Sequence, residues 1–165
     1  MVGRKKMDQQ VEHSGYMQQA LELACQNLRR PFASVIVDTL QGEVVARGLN
    51  RSYRNPTAHS ELVAIQDLCD RLHGDIAWSQ YTLYTTAEPN PMNMAAILWA
   101  GIPRVVFGTS QPTLRALGYR QIDISAAEVV DRSVNLTCEL IGGVMEAECN
   151  ELFKAAARFE KLNGK

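Results

Sequence analysis

Thr85-Thr86-Ala87-Glu88-Pro89-Asn90-Pro91-Met92-Asn93-Met94-Ala95-Ala96-Ile97 carries the chain from the end of one predicted strand into the start of a predicted helix. Just before it, Tyr81 to Thr86 is rich in aromatic and β-branched residues and alternates as a strand does. Asn90 followed by Pro91 reads as a helix start. An N-cap asparagine accepts the backbone N–H of Asn93, and a proline at the first helical position has no N–H to lose. This helix is expected to run to Ala100 and to close at Gly101. A second start lies upstream, in Pro56-Thr57-Ala58-His59-Ser60-Glu61, where His59 begins a helix with Ile65, Leu68, Cys69 and Leu72 on one face and Gly74 after it. Glu61 falls in its first turn, where a carboxylate is favoured by the helix dipole.

Outward from these two stretches the pattern stays regular. Asp8 to Leu28 places Met17, Ala20, Leu21, Ala24, Cys25 and Leu28 at three-and-four spacing, which predicts an amphipathic helix limited by Pro31. Residues 34–40 and 43–49 are short β-branched runs joined by Gln41-Gly42, a predicted hairpin. Asn50 to Thr57 is a polar loop. Downstream come a strand at Arg104 to Gly108, short helices at 112–117 and 125–131, and a last strand at Leu136 to Ile141. The stripe Met145, Cys149, Leu152, Phe153, Ala156 and Phe159 predicts a C-terminal helix over about 143–162. A hairpin followed by strands alternating with helices predicts an α/β domain with a mixed, mostly parallel sheet covered on both faces.

Composition narrows the classes. A chain of 165 residues with 46% apolar content fits one domain over 1–165. Seventeen basic against 18 acidic residues, a formal net charge of −1, give no global field to gather a polyanion, which counts against a dedicated nucleic-acid enzyme. Met1 to Lys6 is basic without a signal-peptide apolar core, and no apolar run approaches spanning length, so a soluble, cytoplasmic protein is expected. Cys25, Cys69, Cys138 and Cys149 form no C-x-x-C pair and read as small core residues, while His13 and His73 read as solvated surface.

Side by side, His59-Ser60-Glu61 and Pro89-Asn90-Pro91-Met92-Asn93 resemble the two halves of the zinc-dependent cytidine and nucleobase deaminase signature, H-x-E and then P-C-x-x-C, with both cysteines replaced by asparagine. Pro31-Phe32-Ala33, Gly48-Leu49-Asn50 and Ala96-Ile97-Leu98-Trp99-Ala100 are similar to flanking motifs of the guanine deaminase and tRNA-adenosine deaminase branch. The resemblance covers about 31–108. It implies a three-layer α/β/α sandwich on a five-stranded mixed sheet, and a homodimer paired through helices around the active site.

The resemblance also implies roles. His59 matches the histidine ligand, Glu61 the proton shuttle, and Asn50 the asparagine that helps hold the base or sugar. In the family, zinc lowers the pKa of its bound water from about 15.7 to about 7, roughly 12 kcal/mol of easier ionisation. Asn90 and Asn93 match the two thiolates, and neutral amides are hard, weak donors, so no cofactor is expected and no metal at His59, Asn90 and Asn93. Asn93 has no capping duty and is expected to point at the former metal position. Without the dication, the facing helix N-termini favour electron-rich oxygen, so His59, Asn90 and Asn93 are expected to cradle an oxyanion, carboxylate or carbonyl oxygen, with Glu61 placed for acid/base work. Phe32 and Trp99 match aromatic positions and are candidates to line the pocket. Arg51 and Arg54, near the expected mouth, are candidates to meet an anionic substituent, against solvated surface as the ordinary reading, and Tyr53 is a candidate lid residue.

Three readings stay open from the sequence. One is a metal-independent acid/base enzyme acting on a flat amino-heterocycle. A second is a catalytically silent deaminase-fold binding or partner protein. The third is an ordinary hydrolytic deaminase whose cysteines were replaced deliberately.

Overall fold

The computed structural model describes residues 2–73 and 75–163, without the side chains of 2–12 and 163. The expected helix end at Gly74 and the side chains of the basic segment Met1 to Lys6 lie outside the described residues. The elements in order are α1 (Val2–Ala24), β1 (Ala33–Asp38), β2 (Glu43–Leu49), α2 (Ser60–Arg71), a 3-10 turn (Trp78–Gln80), β3 (Tyr81–Ala87), α3 (Pro91–Ala100), β4 (Arg104–Thr109), α4 (Gln111–Ala116), α5 (Ala126–Asp131), β5 (Glu139–Gly142) and α6 (Glu146–Asn163).

The five strands form one mixed sheet in the order β2-β1-β3-β4-β5. Pairings β1 with β2 and β1 with β3 are antiparallel, while β3 with β4 and β4 with β5 are parallel. The sheet is therefore evenly mixed rather than mostly parallel, because β1 runs against both neighbours. Successive residues of each strand face opposite layers, as the pleat requires. Val35, Val37, Tyr84 and Val106 pack with Met17, Ala20 and Leu21 of α1 and Cys149 of α6. Ile36, Leu83 and Val105 pack with Ala64 and Leu68 of α2 and with Met94 and Ile97 of α3. These are the three layers of an α/β/α sandwich.

Two close approaches set the positions of α2 and α6. A Cβ at Gly48 would lie 1.9 Å from the carbonyl oxygen of Ser60, and one at Gly108 would lie 2.2 Å from the Cys149 sulfur. Each helix therefore sits directly on strand backbone, and α2 delivers its first turn to the end of the sheet. The hairpin turns at Gly42, at a positive φ of 69°.

Several sequence expectations need correction. Helix α1 ends at Ala24, not Leu28: Gln26 and Asn27 tighten into three-residue turns, leaving Cys25 and Leu28 exposed. Helix α2 ends at Arg71 and leaves Leu72 exposed at its C-cap. The last strand begins at Glu139, three residues later than its apolar run. His13 is half-buried, with Nδ1 2.8 Å from the Tyr84 hydroxyl, so it is not a solvated residue. No helix among the described residues is long and apolar enough to cross a membrane.

Gly48→Ala forces α2 off β2 and is expected to cost about 3 kcal/mol of stability. Urea unfolding checks this, and an unchanged midpoint would show that the layer tolerates the added methyl group.

Candidate functional site

Helices α2 and α3 begin side by side at the end of the sheet where β3 finishes. His59 occupies the N-cap position of α2 in extended backbone and makes no side-chain cap bond, so its imidazole is available to the site. Asn90 is the N-cap of α3, with Pro91 at the first helical position. Its Oδ1 accepts the Asn93 backbone N–H at 3.0 Å. Its other end reaches across to α2, with Nδ2 3.0 Å from His59 Nδ1.

Asn93 completes the bridge. Its Nδ2 donates to Glu61 Oε2 at 2.8 Å and lies 3.3 Å from His59 Nδ1. An amide nitrogen only donates, so His59 Nδ1 is the acceptor and the ring proton sits on Nε2. Asn93 Oδ1 is buried and has no hydrogen-bond partner among the described residues. Glu61, 3% exposed, also accepts from Ser60 Oγ at 3.0 Å and Thr85 Oγ1 at 3.2 Å. Ser60 Oγ in turn accepts from the buried Ser34 hydroxyl of β1 at 2.9 Å. The carboxyl is thus held from α2, α3 and β3 at once, with β1 behind it through Ser60.

Burial pushes the Glu61 pKa up, against the opposing help of its own backbone N–H and the donors Ser60, Thr85 and Asn93. Burial, aided by the Arg30 charge, pushes the His59 pKa down. Both shifts favour neutral partners at the floor.

Above this floor lies a cavity of about 550 Å³. Asn50 and Phe32 form part of its wall. Asn50 is buried, its Oδ1 accepting from the Ser52 N–H at 3.0 Å and hydroxyl at 2.8 Å. The Phe32 ring packs on Phe153 at 4.7 Å and meets Tyr119 edge-on at 5.7 Å. Burial holds the Tyr119 hydroxyl up at about 12, and it donates to the Phe153 carbonyl at 3.1 Å. An adjoining cavity of about 540 Å³ shares Arg29, Arg30, Asn50 and Glu160 with the first.

The structure brings together His59, Glu61, Asn50, Asn90, Asn93 and Phe32. It does not bring Trp99, which is 81% exposed on the outer face of α3 and lines a separate apolar depression with Val129 and Val134. Its place in the motif is a surface place. Arg51 and Tyr53 line the adjoining cavity, while Arg54 stacks on Tyr53 at 5.9 Å and lines neither. Sequence reasoning missed Arg29, Arg30, Tyr119, Arg120, Gln121 and Glu160 at the walls and rim. Only the first two had a local signal, standing directly before Pro31-Phe32-Ala33. Glu88, also a wall residue, is tied to the fold, accepting the backbone N–H groups of Gln111 and Ala126 at the starts of α4 and α5.

A His-x-Glu at one helix start, facing a proline-led second helix start over a mixed sheet, defines the deaminase-type α/β/α site. The chain belongs to the cytidine and deoxycytidylate deaminase family: residues 10–109 match the cytidine and deoxycytidylate deaminase zinc-binding region. Guanine deaminase of Bacillus subtilis is 34% identical over 131 residues, spanning 72% of this chain and 81% of that protein. The tRNA-specific adenosine deaminase of the same organism is 29% identical over 148 residues, 87% of each chain. The guanine deaminase structure from Nitrosomonas europaea shares the fold at a TM-score of 0.74 and 20% identity, covering 88% of this chain and 84% of that one.

The family region is a zinc-binding one, and the donors that converge here are one imidazole and two neutral amides. The amide N–H groups point at the imidazole nitrogen that a metal would need. Among the described residues no three His, Cys, Asp or Glu side chains group as ligands.

The upward shift of Glu61 has a defined sign in stability. The fold keeps a proton there that the unfolded chain releases near 4.5. The group's contribution is therefore fully present below 4.5 and is lost as pH rises through the raised folded value. Relative to the natural chain, Glu61→Gln is expected to gain stability as pH rises above about 4.5, until the raised folded value is passed. Urea midpoints across that range check it, and parallel curves for the two proteins would contradict it.

Proposed function

We propose that this deaminase-family chain holds a flat amino-heterocycle over Glu61 and works on it by metal-independent proton transfer. The observation that supports this is the closed Asn90–His59–Asn93–Glu61 network, in which amide N–H groups fill the acceptor positions a cation would use. Two amides do not replace two thiolates as zinc ligands, so the donor set does not fit the family's metal. No step of the reaction is routed through one.

Without a metal, ionising water costs about 12 kcal/mol more, which removes the family's route to hydroxide at neutral pH. Moving a proton to or from a ring nitrogen carries no such cost. Glu61, held towards its neutral form, gives its proton to one ring position and takes a proton from another, so the ring changes tautomer and the carboxyl ends as it began; His59 Nε2–H with the second Asn90 N–H forms the cradle for a carbonyl oxygen or oxyanion. Asn93, with both N–H groups committed to His59 and Glu61, positions these two rather than touching the ligand. Asn50 holds the edge of the ring, and Phe32 packs against its face.

A second reading, binding without turnover, is favoured by the donors already held by His59 Nδ1 and the Glu61 carboxyl. The proposal also includes a homodimer in the cytoplasm, supported by the apolar surface at Trp99 and Val134, each 81% exposed.

Elemental analysis of the purified chain is expected to give substoichiometric zinc, and Asn90→Cys with Asn93→Cys to restore a stoichiometric ion. A panel of amino-heterocycles followed by absorbance and by exchange of ring protons with solvent is expected to reveal a saturable ligand, with turnover falling about 100-fold or more in Glu61→Gln. Saturation without turnover favours the binding role. Stoichiometric zinc in the natural chain would overturn the proposal.

A further inference from the structure

The cavity above Glu61 is only half of the available space. The adjoining chamber is of equal size and is entered past Asn50, which lines both. A single ring seated over Glu61 leaves that outer chamber unused. The side chains there differ sharply from the neutral floor. Arg29 and Arg30 line both chambers, Arg51 lines the outer one, and Arg120 stands on the rim of the inner one.

These four guanidinium groups make no ion pair among the described residues, whereas Arg71, Arg104, Arg115 and Lys154 each hold a carboxylate. Arg29 lies 6.0 Å from the Phe159 ring centre, and Arg30 donates to the Ser52 hydroxyl. Neither contact supplies a counter-charge. The acids nearby offset little: Glu61 is buried and pushed towards its neutral form, and Glu88 is taken by two backbone N–H groups. Among the described residues at this opening, Glu160 alone is an exposed carboxylate. In a chain whose net charge is −1, four unpaired arginines at one mouth are a segregated positive field.

Guanidinium groups bind phosphoryl oxygens through paired, planar N–H donors, and a phosphomonoester carries about −1.5 to −2 at neutral pH against −1 for a carboxylate. We infer that the outer chamber is an anion subsite for a phosphoryl group carried on a flexible arm of the amino-heterocycle, held by Arg29, Arg30 and Arg51 and drawn in by Arg120. This rests on the ring-over-Glu61 reading above, and makes the ligand a small phosphomonoester rather than a free base. A polynucleotide fits less well, because Glu160 interrupts the rim and the balanced charge provides no track for a phosphate backbone.

The test measures binding of the free base, the riboside and the riboside 5′-monophosphate of adenine, guanine and cytosine to the full chain by calorimetry. For at least one base, the monophosphate is expected to bind tighter than the riboside by about tenfold or more at low salt. That gain is expected to shrink at high salt, and inorganic phosphate to compete with it. Arg30→Gln and Arg51→Gln are expected to bring the monophosphate-to-riboside ratio towards one, while Arg132→Gln, on the exposed end of α5, leaves it unchanged. Equal binding of riboside and monophosphate overturns the subsite and leaves the ring chamber standing. An equal gain from a riboside 5′-carboxylate overturns the phosphoryl choice, and an equal gain in both arginine variants overturns the residue assignment. Failure of all three ligand forms for every base overturns the ring-over-Glu61 reading and the subsite with it.

Discussion

His59 Nδ1 is where two helix N-termini meet, and the site depends on what satisfies that one lone pair. Helices α2 and α3 both direct their first turns at the end of the sheet, where partial positive charge gathers from unsatisfied N–H groups. Such an arrangement suits anionic thiolates, which neutralise the helix ends and hold a dication between them. In this chain Asn90 and Asn93 supply N–H donors instead, and those donors find acceptors in the His59 imidazole and the Glu61 carboxyl. The His59 and Glu61 acceptors are satisfied and hydrogen bonds tie the two helices, while Asn93 Oδ1 stays buried without a partner among the described residues.

The bridge is stiff because its supports come from the fold's core. Gly48 admits the first turns of α2 against β2, and the Ser34–Ser60 hydroxyl pair runs from β1 to the Glu61 carboxyl. Thr86 in β3 accepts the Ala33 N–H and donates to the Pro31 carbonyl, which fixes the segment carrying Phe32 at the cavity wall. The rim is built differently. Arg29, Arg30 and Arg120 are exposed, and few of their atoms are held. A neutral, hydrogen-bonded floor thus lies under an exposed, cationic mouth.

Much of this was legible locally. The Asn90-Pro91 start, the Gly101 stop and the hairpin at Gly42 are all where turn and cap chemistry put them. Asn90 showed why capping and site duty are not rivals: an amide has two ends, and Oδ1 caps α3 while Nδ2 reaches His59. Trp99 was misplaced although its sequence held the answer. It follows Ile97 by two residues, about 200° around a helix, and Ile97 is buried in the core, so the motif position faces outward. The rim arginines were harder to see. The segments around 29–30, 51, 120 and 160 meet only through the tertiary fold, and no local period connects them. The end of α1 was missed for a related reason: the apolar stripe continues to Leu28, but the Asn27 side chain donates to the Asn50 carbonyl, and that distant contact turns the chain away.

Glu61 is the least economical residue in the core. A carboxyl at 3% exposure has no cation against it among the described residues, which offer it hydroxyl and amide donors and its own backbone N–H, and a neutral side chain of similar shape would avoid the desolvation penalty. A buried acid with a raised pKa in a concave site is a candidate for proton chemistry. The contrast with the mouth then constrains the ligand. A molecule carrying its negative charge on the ring would meet a buried carboxyl at the floor and leave the guanidinium groups unmatched. A neutral ring with a charged tail would suit both ends, its ring facing Glu61 and its charge staying beside the arginines, outside the low-dielectric floor.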